Sequence, residues 1–385
     1  MKGMSPAFVA LWSLALGLAT VRHCRADDFK PPWPDHVRHV TFALPSAGSP
    51  ILIPVTAGNR GLVFIVDTTM PCSLIHERHR EWLESIPADD ADGTEHGTKW
   101  YKFPSLLARG LPLPVADRVA AADLAGYEDI LGTRIDGVFG ADILRKLVLY
   151  IDNDRDQGAI ALGDAAPFVT REESLPVKYD RLGVPMISVK PGDFSDHFYV
   201  DMAAWHSATF TSDLTDKLLA GRALRLNDTF RFMRNRYGDE EIRIDLRCTQ
   251  MSVGNTQLRD VVCYRDDRNV VAYGILSRFR ITLVLPEDRI VLSPASGLTA
   301  ADHTDKDGID FVKASWGNEV VLVAGEMLGK RAGLQVGDVF LKIDGVDVVA
   351  RSRDDICRRL FLERTSPTTM TVRRGEQEVE VVLPK

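Results

Sequence analysis

The stretch Leu62-Val63-Phe64-Ile65-Val66-Asp67-Thr68-Thr69 is an apolar run that ends on a carboxylate, and about seventy residues later the chain reads Asp136-Gly137-Val138-Phe139-Gly140-Ala141-Asp142-Ile143-Leu144. The order recurs. Phe198-Tyr199-Val200-Asp201-Met202-Ala203 is followed, at nearly the same interval, by Tyr273-Gly274-Ile275-Leu276-Ser277-Arg278-Phe279. Short runs rich in β-branched and aromatic residues read as strands. Each copy therefore predicts a strand that delivers an Asp to its end, and a second apolar element beside a glycine. Two like units predict two like lobes, and one carboxylate per lobe allows two Asp side chains to meet at the seam, an arrangement for acid/base chemistry on water.

Working outward, short β-runs are predicted around the first copy at Ile51 to Val55, Leu62 to Val66, Trp100 to Leu107 and Leu147 to Ile151, with a turn at Gly58-Asn59-Arg60-Gly61 and a helix at His76 to Ile86. Around the second, Met186 to Val189 and Phe198 to Val200 flank a Pro191-Gly192 turn, Leu214 to Ala220 reads as a helix, and later strands turn at Tyr237-Gly238-Asp239. Residues 163–174 and 295–307 lack periodicity and read as linkers. The lobes are expected over residues 39–165 and 175–294.

The whole chain has 385 residues and a formal net charge of −7, enough length for several cores. Lys2, the apolar run Ala7 to Val21 and Cys24-Arg25-Ala26 read as a secretory signal over residues 1–26, followed by a Pro-rich, flexible lead-in over 27–38. The apolar run is short for a membrane span, so the expectation is a protein exported to the periplasm or the exterior, with an uncleaved membrane anchor as the alternative. An acidic chain without a basic cluster argues against nucleic acid or anionic lipid as partner. No cofactor is expected. His76 and His79 stand three apart without a third ligand at convincing spacing, so no metal site is expected either. Cys248 and Cys263 lie on strand-like runs flanking Gly254-Asn255. A four-residue turn sets them opposite each other and a two-residue turn makes them diagonal neighbours; a disulfide and two reduced, buried thiols both remain open.

The C-terminal segment is different in kind. Gly308-Ile309-Asp310-Phe311, Ala332-Gly333-Leu334, Gly337-Asp338 and Ile343-Asp344-Gly345, then a predicted helix Ser352 to Phe361 and closing strands Thr369 to Arg373 and Glu378 to Leu383, strongly resemble a bacterial-type PDZ domain over 308–385. The resemblance implies peptide binding by strand addition, with Gly308, Ile309, Asp310 and Phe311 in the position of the loop whose N–H groups hold a terminal carboxylate. Asp310 departs from that pattern, because a carboxylate facing the groove repels the carboxylate of a ligand.

The doubled unit resembles the two-lobed aspartic peptidases of the pepsin and retropepsin type. In that family each lobe offers Asp-Thr-Gly or Asp-Ser-Gly at a strand end and braces it with a distal apolar-apolar-Gly element. Gly137 to Leu144 matches the first brace, and Gly274-Ile275-Leu276 a shortened second. The resemblance implies a mainly β fold of two pseudo-repeated aspartic-peptidase-like barrel lobes, here followed by the small α+β PDZ domain. It implies peptide-bond hydrolysis by water activated between Asp67 and Asp201, with Thr68 beneath the pair, a polypeptide as substrate, and no need for a dimer to complete the dyad. A flap is implied at Asp92 to Gly97, running into Trp100 and Tyr101. The family's Gly positions hold Thr69 and Ala203, where a positive φ would penalise a side chain, and the second hydroxyl position holds Met202. A one-sided grip beneath the dyad is expected. The alternative function is a catalytically impaired relative that binds peptides.

Overall fold

The computed structural model describes residues 30–31, 33, 36–44, 50–86, 99–131, 133–163, 174–204, 206–234, 240–298, 309–314, 316–323, 327–351, 356, 359–360 and 366–384. The expected signal, the Asp92 to Gly97 flap, the Tyr237-Gly238-Asp239 turn, Gly308 and most of the helix at 352–361 lie outside these residues.

The first lobe runs through β1 (His39–Ala43), β2 (Leu52–Ala57), β3 (Arg60–Val66), β4 (Leu74–His76), β5 (Trp100–Lys102), β6 (Leu107–Ala108), β7 (Leu111–Pro112), β8 (Arg118–Ala122), helix α1 (Ala125–Leu131), β9 (Gly137–Phe139), α2 (Ala141–Leu144), β10 (Leu147–Asp152) and β11 (Gln157–Leu162). Alternate residues of β2 are buried, as a strand with one covered face requires. All six residues of β10 are buried, as in a strand covered on both faces. The run expected from Trp100 to Leu107 is two strands, since Pro104 between them has no N–H to give a ladder. The helix expected at His76 to Ile86 is a 3-10 helix over Glu77–Trp82. His76 caps it by accepting the Arg78 N–H on Nδ1, which leaves the histidine outside the turn.

The second lobe repeats this order with β12 (Ser174–Pro176), β13 (Lys178–Tyr179), β14 (Pro185–Pro191), β15 (Asp196–Asp201), β16 (Ala208–Thr211), α3 (Ser212–Ala220), β17 (Leu224–Arg234), β18 (Glu240–Val253), β19 (Thr256–Asp266), β20 (Val270–Ala272), α4 (Tyr273–Leu276), β21 (Phe279–Val284) and β22 (Arg289–Pro294). Thr211 starts α3 by accepting the Leu214 N–H, a side-chain N-cap.

Topology establishes that the repeat is structural. In lobe 1 the neighbouring strands β3, β9, β4 and β8 pair in turn parallel, antiparallel and parallel. In lobe 2 β15, β20, β16 and β19 pair in the same sequence of directions. Each Asp-bearing strand thus lies parallel to its brace. A third sheet, β1-β11-β10-β21-β22-β12, takes three strands from each lobe in mirrored order and joins them where Leu149 faces Leu283 and Ile151 faces Ile281. Beneath this seam the Tyr273 hydroxyl donates to Asn153 Oδ1 at 2.7 Å, and Asn153 Nδ2 donates to the Phe279 carbonyl at 3.0 Å. One continuous apolar core runs through both lobes.

Within the lead-in, Trp33 and Val37 are buried against Val148, Ala159 and Ala161 of the central sheet. The ring of Trp33 meets Tyr150 edge-on at 6.2 Å. Large aromatic area is what ties down an otherwise polar segment.

The two alternatives left open for Cys248 and Cys263 are decided by the register. The Gly254-Asn255 turn has two residues, Val253 faces Thr256, and the register pairs Cys263 with Leu246 and Cys248 with Val261. Diagonal strand neighbours stand about 7–8 Å apart, beyond the span of a disulfide. Both cysteines are thiols outside any disulfide and fully buried, and burial pushes the Cys248 thiol up to about 11.

The C-terminal domain contains β23 (Ile309–Ala314), β24 (Gly317–Val323), α5 (Leu328–Arg331), β25 (Val339–Ile343), β26 (Val346–Asp347), β27 (Thr368–Arg374) and β28 (Gln377–Leu383). Its sheet runs β23-β24-β25-β27-β28, so β23 is an edge strand, and it lies against α1 of the first lobe. The domain has a core of its own, including Phe311, Val320, Leu334, Phe340, Met370 and Val372. The Gly-Asp signal has a structural cause: Asp338 is fully buried, and Arg374 clamps both its oxygens at 2.8 and 2.7 Å.

Candidate active site

Asp67 follows β3, and its N–H donates to the Phe139 carbonyl of β9 at 3.1 Å. The brace returns a second bond, Ala141 N–H to Met70 O at 2.8 Å. In lobe 2 the matching bond runs from Tyr273 N–H to Ala204 O at 3.0 Å. Met70 and Ala204 each stand three residues after their Asp, so Ala141 corresponds to Tyr273 and Gly140 to Ala272. This corrects the brace of the second lobe, whose strand is Val270–Ala272, with Gly274 inside α4. The correspondence is set by hydrogen bonding, which glycine spacing does not report.

The two braces differ for a visible reason. A Cβ on Gly140 would stand 2.6 Å from the Cys72 carbonyl carbon and 2.8 Å from Met70 O, both backbone atoms that cannot step aside. Asp142, which corresponds to Gly274, accepts the Ser73 N–H at 2.9 Å and the Ser73 hydroxyl at 2.6 Å, and Ser73 Oγ accepts the Gly140 N–H at 3.0 Å. Lobe 1 therefore holds its Asp loop more closely than lobe 2, where the corresponding position carries no side chain. Gly140→Ala is expected to destabilise the fold by roughly 2 kcal/mol, read as a lowered denaturation midpoint, whereas Ala272→Gly should cost less than half of that.

Thr68 crosses the seam. Its fully buried hydroxyl accepts the Met202 N–H at 3.1 Å and donates to the Val200 carbonyl, the two peptide groups that flank Asp201. Met202 is fully buried in the apolar core and offers no hydroxyl in return. The grip is one-sided, as its sequence requires, yet the single hydroxyl both donates and accepts across the seam.

The expectation of backbone strain at Thr69 and Ala203 is overturned, since neither has a positive φ. Thr69 is instead a donor: its N–H and hydroxyl both reach Asp67 Oδ1, at 2.9 and 2.7 Å. The N–H groups of Ala203 and Ala204 both reach Asp201 Oδ1 at 2.9 Å. A third contact to Asp67 has no signal in the sequence: the Tyr127 hydroxyl on α1 donates to Asp67 Oδ2 at 3.0 Å.

Asp67 thus accepts three hydrogen bonds spread over both oxygens, whereas both bonds to Asp201 fall on Oδ1. Burial first, and the charge of Asp67 second, push the Asp201 carboxyl up to about 7, and the Ala203 and Ala204 N–H groups only partly offset this. Two like charges that feel each other cannot both be held cheaply, so Asp201 keeps its proton to a higher pH than an ordinary carboxyl does.

The surrounding candidates separate. His79 Nε2 donates to Asp136 Oδ1 at 2.7 Å, while His79 Nδ1 accepts the Trp82 indole N–H at 3.2 Å. Burial, the largest influence on Asp136, raises its pKa, but hydrogen bonds from His79, Arg134 and the Val63 N–H outweigh it and the net shift is downward. This buried network ties the 3-10 helix to the start of β9. His76 turns the other way, toward Asp123 at 3.7 Å, so the two histidines share no ligand site. Tyr101 belongs to the core, and Arg118 lies over the ring of Trp100 at 4.6 Å. Among the described residues no three His, Cys, Asp or Glu side chains cluster to hold a metal.

At the PDZ loop, Ile309 and Phe311 are both buried, and Phe311 meets Phe340 edge-on at 5.2 Å. Their side chains form part of the core of the domain. Asp310 faces Leu322 in the ladder, with a bulge directly after it.

Comparison with known proteins agrees with this architecture in part. The PDZ domain family matches residues 319–374. No curated protein matches the chain. Similar solved structures include the HtrA3 PDZ domain bound to a phage-derived ligand (FGRWV), with 25% identity over 20% of this chain and 80% of that one at a TM-score of 0.18. They also include a retropepsin-like aspartic protease from Rickettsia conorii, with 15% identity over 31% of this chain and 89% of that one at a TM-score of 0.25. The PDZ domain family thus matches within the C-terminal segment, and the two lobes before it repeat one order of β-strand pairing.

Proposed function

We propose that this protein is an exported aspartic endopeptidase whose dyad is Asp67 and Asp201, with Thr68 aligning the pair and the PDZ domain binding polypeptide through β23. The observation that carries the reading is the Thr68 bridge between the strand ends, with the charge of Asp67 felt at Asp201. Asp67 acts as general base and takes a proton from water. The water oxygen bonds to the scissile carbonyl carbon while Asp201 gives its proton to the carbonyl oxygen. Collapse of the tetrahedral adduct breaks the C–N bond, and a proton passes to the amine nitrogen, leaving acid, amine and a dyad that again holds one proton. The domain limits proposed are 39–165, 175–294 and 308–385, with residues 1–26 removed on export. Sequencing the mature N-terminus tests that removal, and an intact Met1 favours the anchored alternative. No helix among the described residues is long and apolar enough to cross a membrane.

The test is cleavage of a diverse peptide pool between pH 3 and 8 by wild type, Asp67→Asn and Asp201→Asn. Cleavage that disappears in both variants supports the dyad; peptides bound but left whole by all three proteins support the binding-only alternative. Because Asp201 must carry its proton, the rate is expected to fall about tenfold per pH unit above about 7. A pH–rate profile flat through pH 8 removes Asp201 as the acid.

A further inference from the structure

We infer that Tyr127 is a positioning residue for the dyad: its hydroxyl holds Asp67 through Oδ2, turns the carboxylate, and keeps the shared proton on Asp201. The inference rests on the peptidase reading for its consequence in catalysis, but the contact itself does not.

Tyr127 is held from several sides. The helix α1 begins where Asp123 Oδ1 accepts the Ala125 N–H at 2.9 Å. Glu128 accepts the Ile135 N–H at 2.9 Å and pairs with Arg78 at 2.6 Å, so the next residue in the chain is fastened to the loop before β9 and to the 3-10 helix. The phenol ring packs on the small core of Ile65, Leu124, Ile135 and Val138. That core flanks β3 and β9, the strand that carries Asp67 and its brace, so ring and carboxylate are referred to the same two strands.

The chemistry favours one distribution of the proton. Thr69 donates twice to Oδ1 of Asp67 and Tyr127 once to Oδ2, so donors point at both oxygens of one carboxylate. Asp201 receives its two donors on Oδ1, and its Oδ2 carries no hydrogen bond among the described residues. A hydroxyl that donates to a carboxylate favours its charged form. The proton is therefore left to Oδ2 of Asp201, from which a substrate carbonyl oxygen can take it. Asp123, Glu128, Arg78 and His76 are ionisable groups on or beside α1, and β23, which also lies against it, carries Asp310 and Lys313; the side-chain bonds to Asp67 come from Thr69 and Tyr127.

Tyr127→Phe removes the hydroxyl and keeps the ring, so the packing on Ile65 and Val138 survives. Arg78→Gln loosens the Glu128 tether without touching Asp67 and serves as the structural control. The first measurement is the carboxyl carbon NMR titration of aspartate-labelled protein, which needs no turnover. The expected result is a dyad titration moved by at least about half a pH unit in Tyr127→Phe, and unmoved in Arg78→Gln, with similar melting temperatures. An unmoved titration in Tyr127→Phe overturns the inference, as does an equal movement in Arg78→Gln. Where peptides are cleaved, Tyr127→Phe should lower kcat about tenfold with KM within about twofold. A protein that cleaves nothing removes the peptidase reading and leaves the titration to decide the role of Tyr127.

Discussion

Asp201→Asn is expected to reduce peptide hydrolysis by roughly 10³-fold, the scale of a lost acid/base group, and also to stabilise the protein above neutral pH. Asn can present its carbonyl oxygen to the Ala203 and Ala204 N–H groups as Asp201 Oδ1 does, so the loop keeps its bonds. The stability effect follows from the raised pKa of about 7 against an ordinary value of 3.8. A carboxyl whose folded pKa is raised binds its proton more tightly in the fold than in the unfolded chain. Its contribution is therefore complete below about pH 4 and is lost as pH rises through about 7. Wild type should weaken across that window by roughly 2 kcal/mol, a value set below the full shift because Asp201 is only half-buried. The variant should not weaken in this way. Urea denaturation of both proteins at pH 4, 6 and 8 measures this, and parallel curves would show that Asp201 carries no buried charge.

Thr68→Val is expected to cost about 3 kcal/mol, the largest stability loss of any single substitution at the seam. Valine fills the same space, but it leaves the Met202 N–H and the Val200 carbonyl buried without partners. Because those peptide groups flank Asp201, the carboxyl loses its alignment as well, and about 10- to 100-fold in rate should go with it. Thr68→Ser keeps the hydroxyl and should lose only about 1 kcal/mol for the missing methyl. Denaturation midpoints of the two variants decide the matter: a valine variant as stable as the serine variant would mean that the lobes are joined by the shared core and central sheet alone. The one-sided grip makes this test sharper, because Met202 supplies no second hydroxyl to compensate.

Much of the architecture was legible in the chain because it rests on short-range pattern. An apolar run closed by Asp67 or Asp201 reads as a strand with its carboxylate at the tip, and the doubling of that run reads as two lobes. The PDZ signals were legible for a similar reason: each marks a local backbone or burial demand, such as the place that Asp338 takes beneath Arg374. Glycine was a poorer guide in the second lobe. Gly274 drew the brace to α4, whereas the pairing places the strand at Val270–Ala272, where Ala272 stands in the position that lobe 1 must fill with Gly140. Thr69 misled in the opposite sense. Read against a family glycine it promised strain, but the loop holds it without a positive φ and uses its hydroxyl.

By itself the sequence determined the two lobes, the pair of carboxylates at their strand ends, the missing second hydroxyl at Met202 and the appended PDZ domain, since each is written in residue type and order along a few neighbouring positions. Tertiary structure alone decided which carboxylate holds the proton. That depends on donors brought from distant segments, Tyr127 to Asp67 across sixty residues of chain and Thr68 to the peptide groups around Asp201 across the seam, and on burial, which no single stretch of sequence contains.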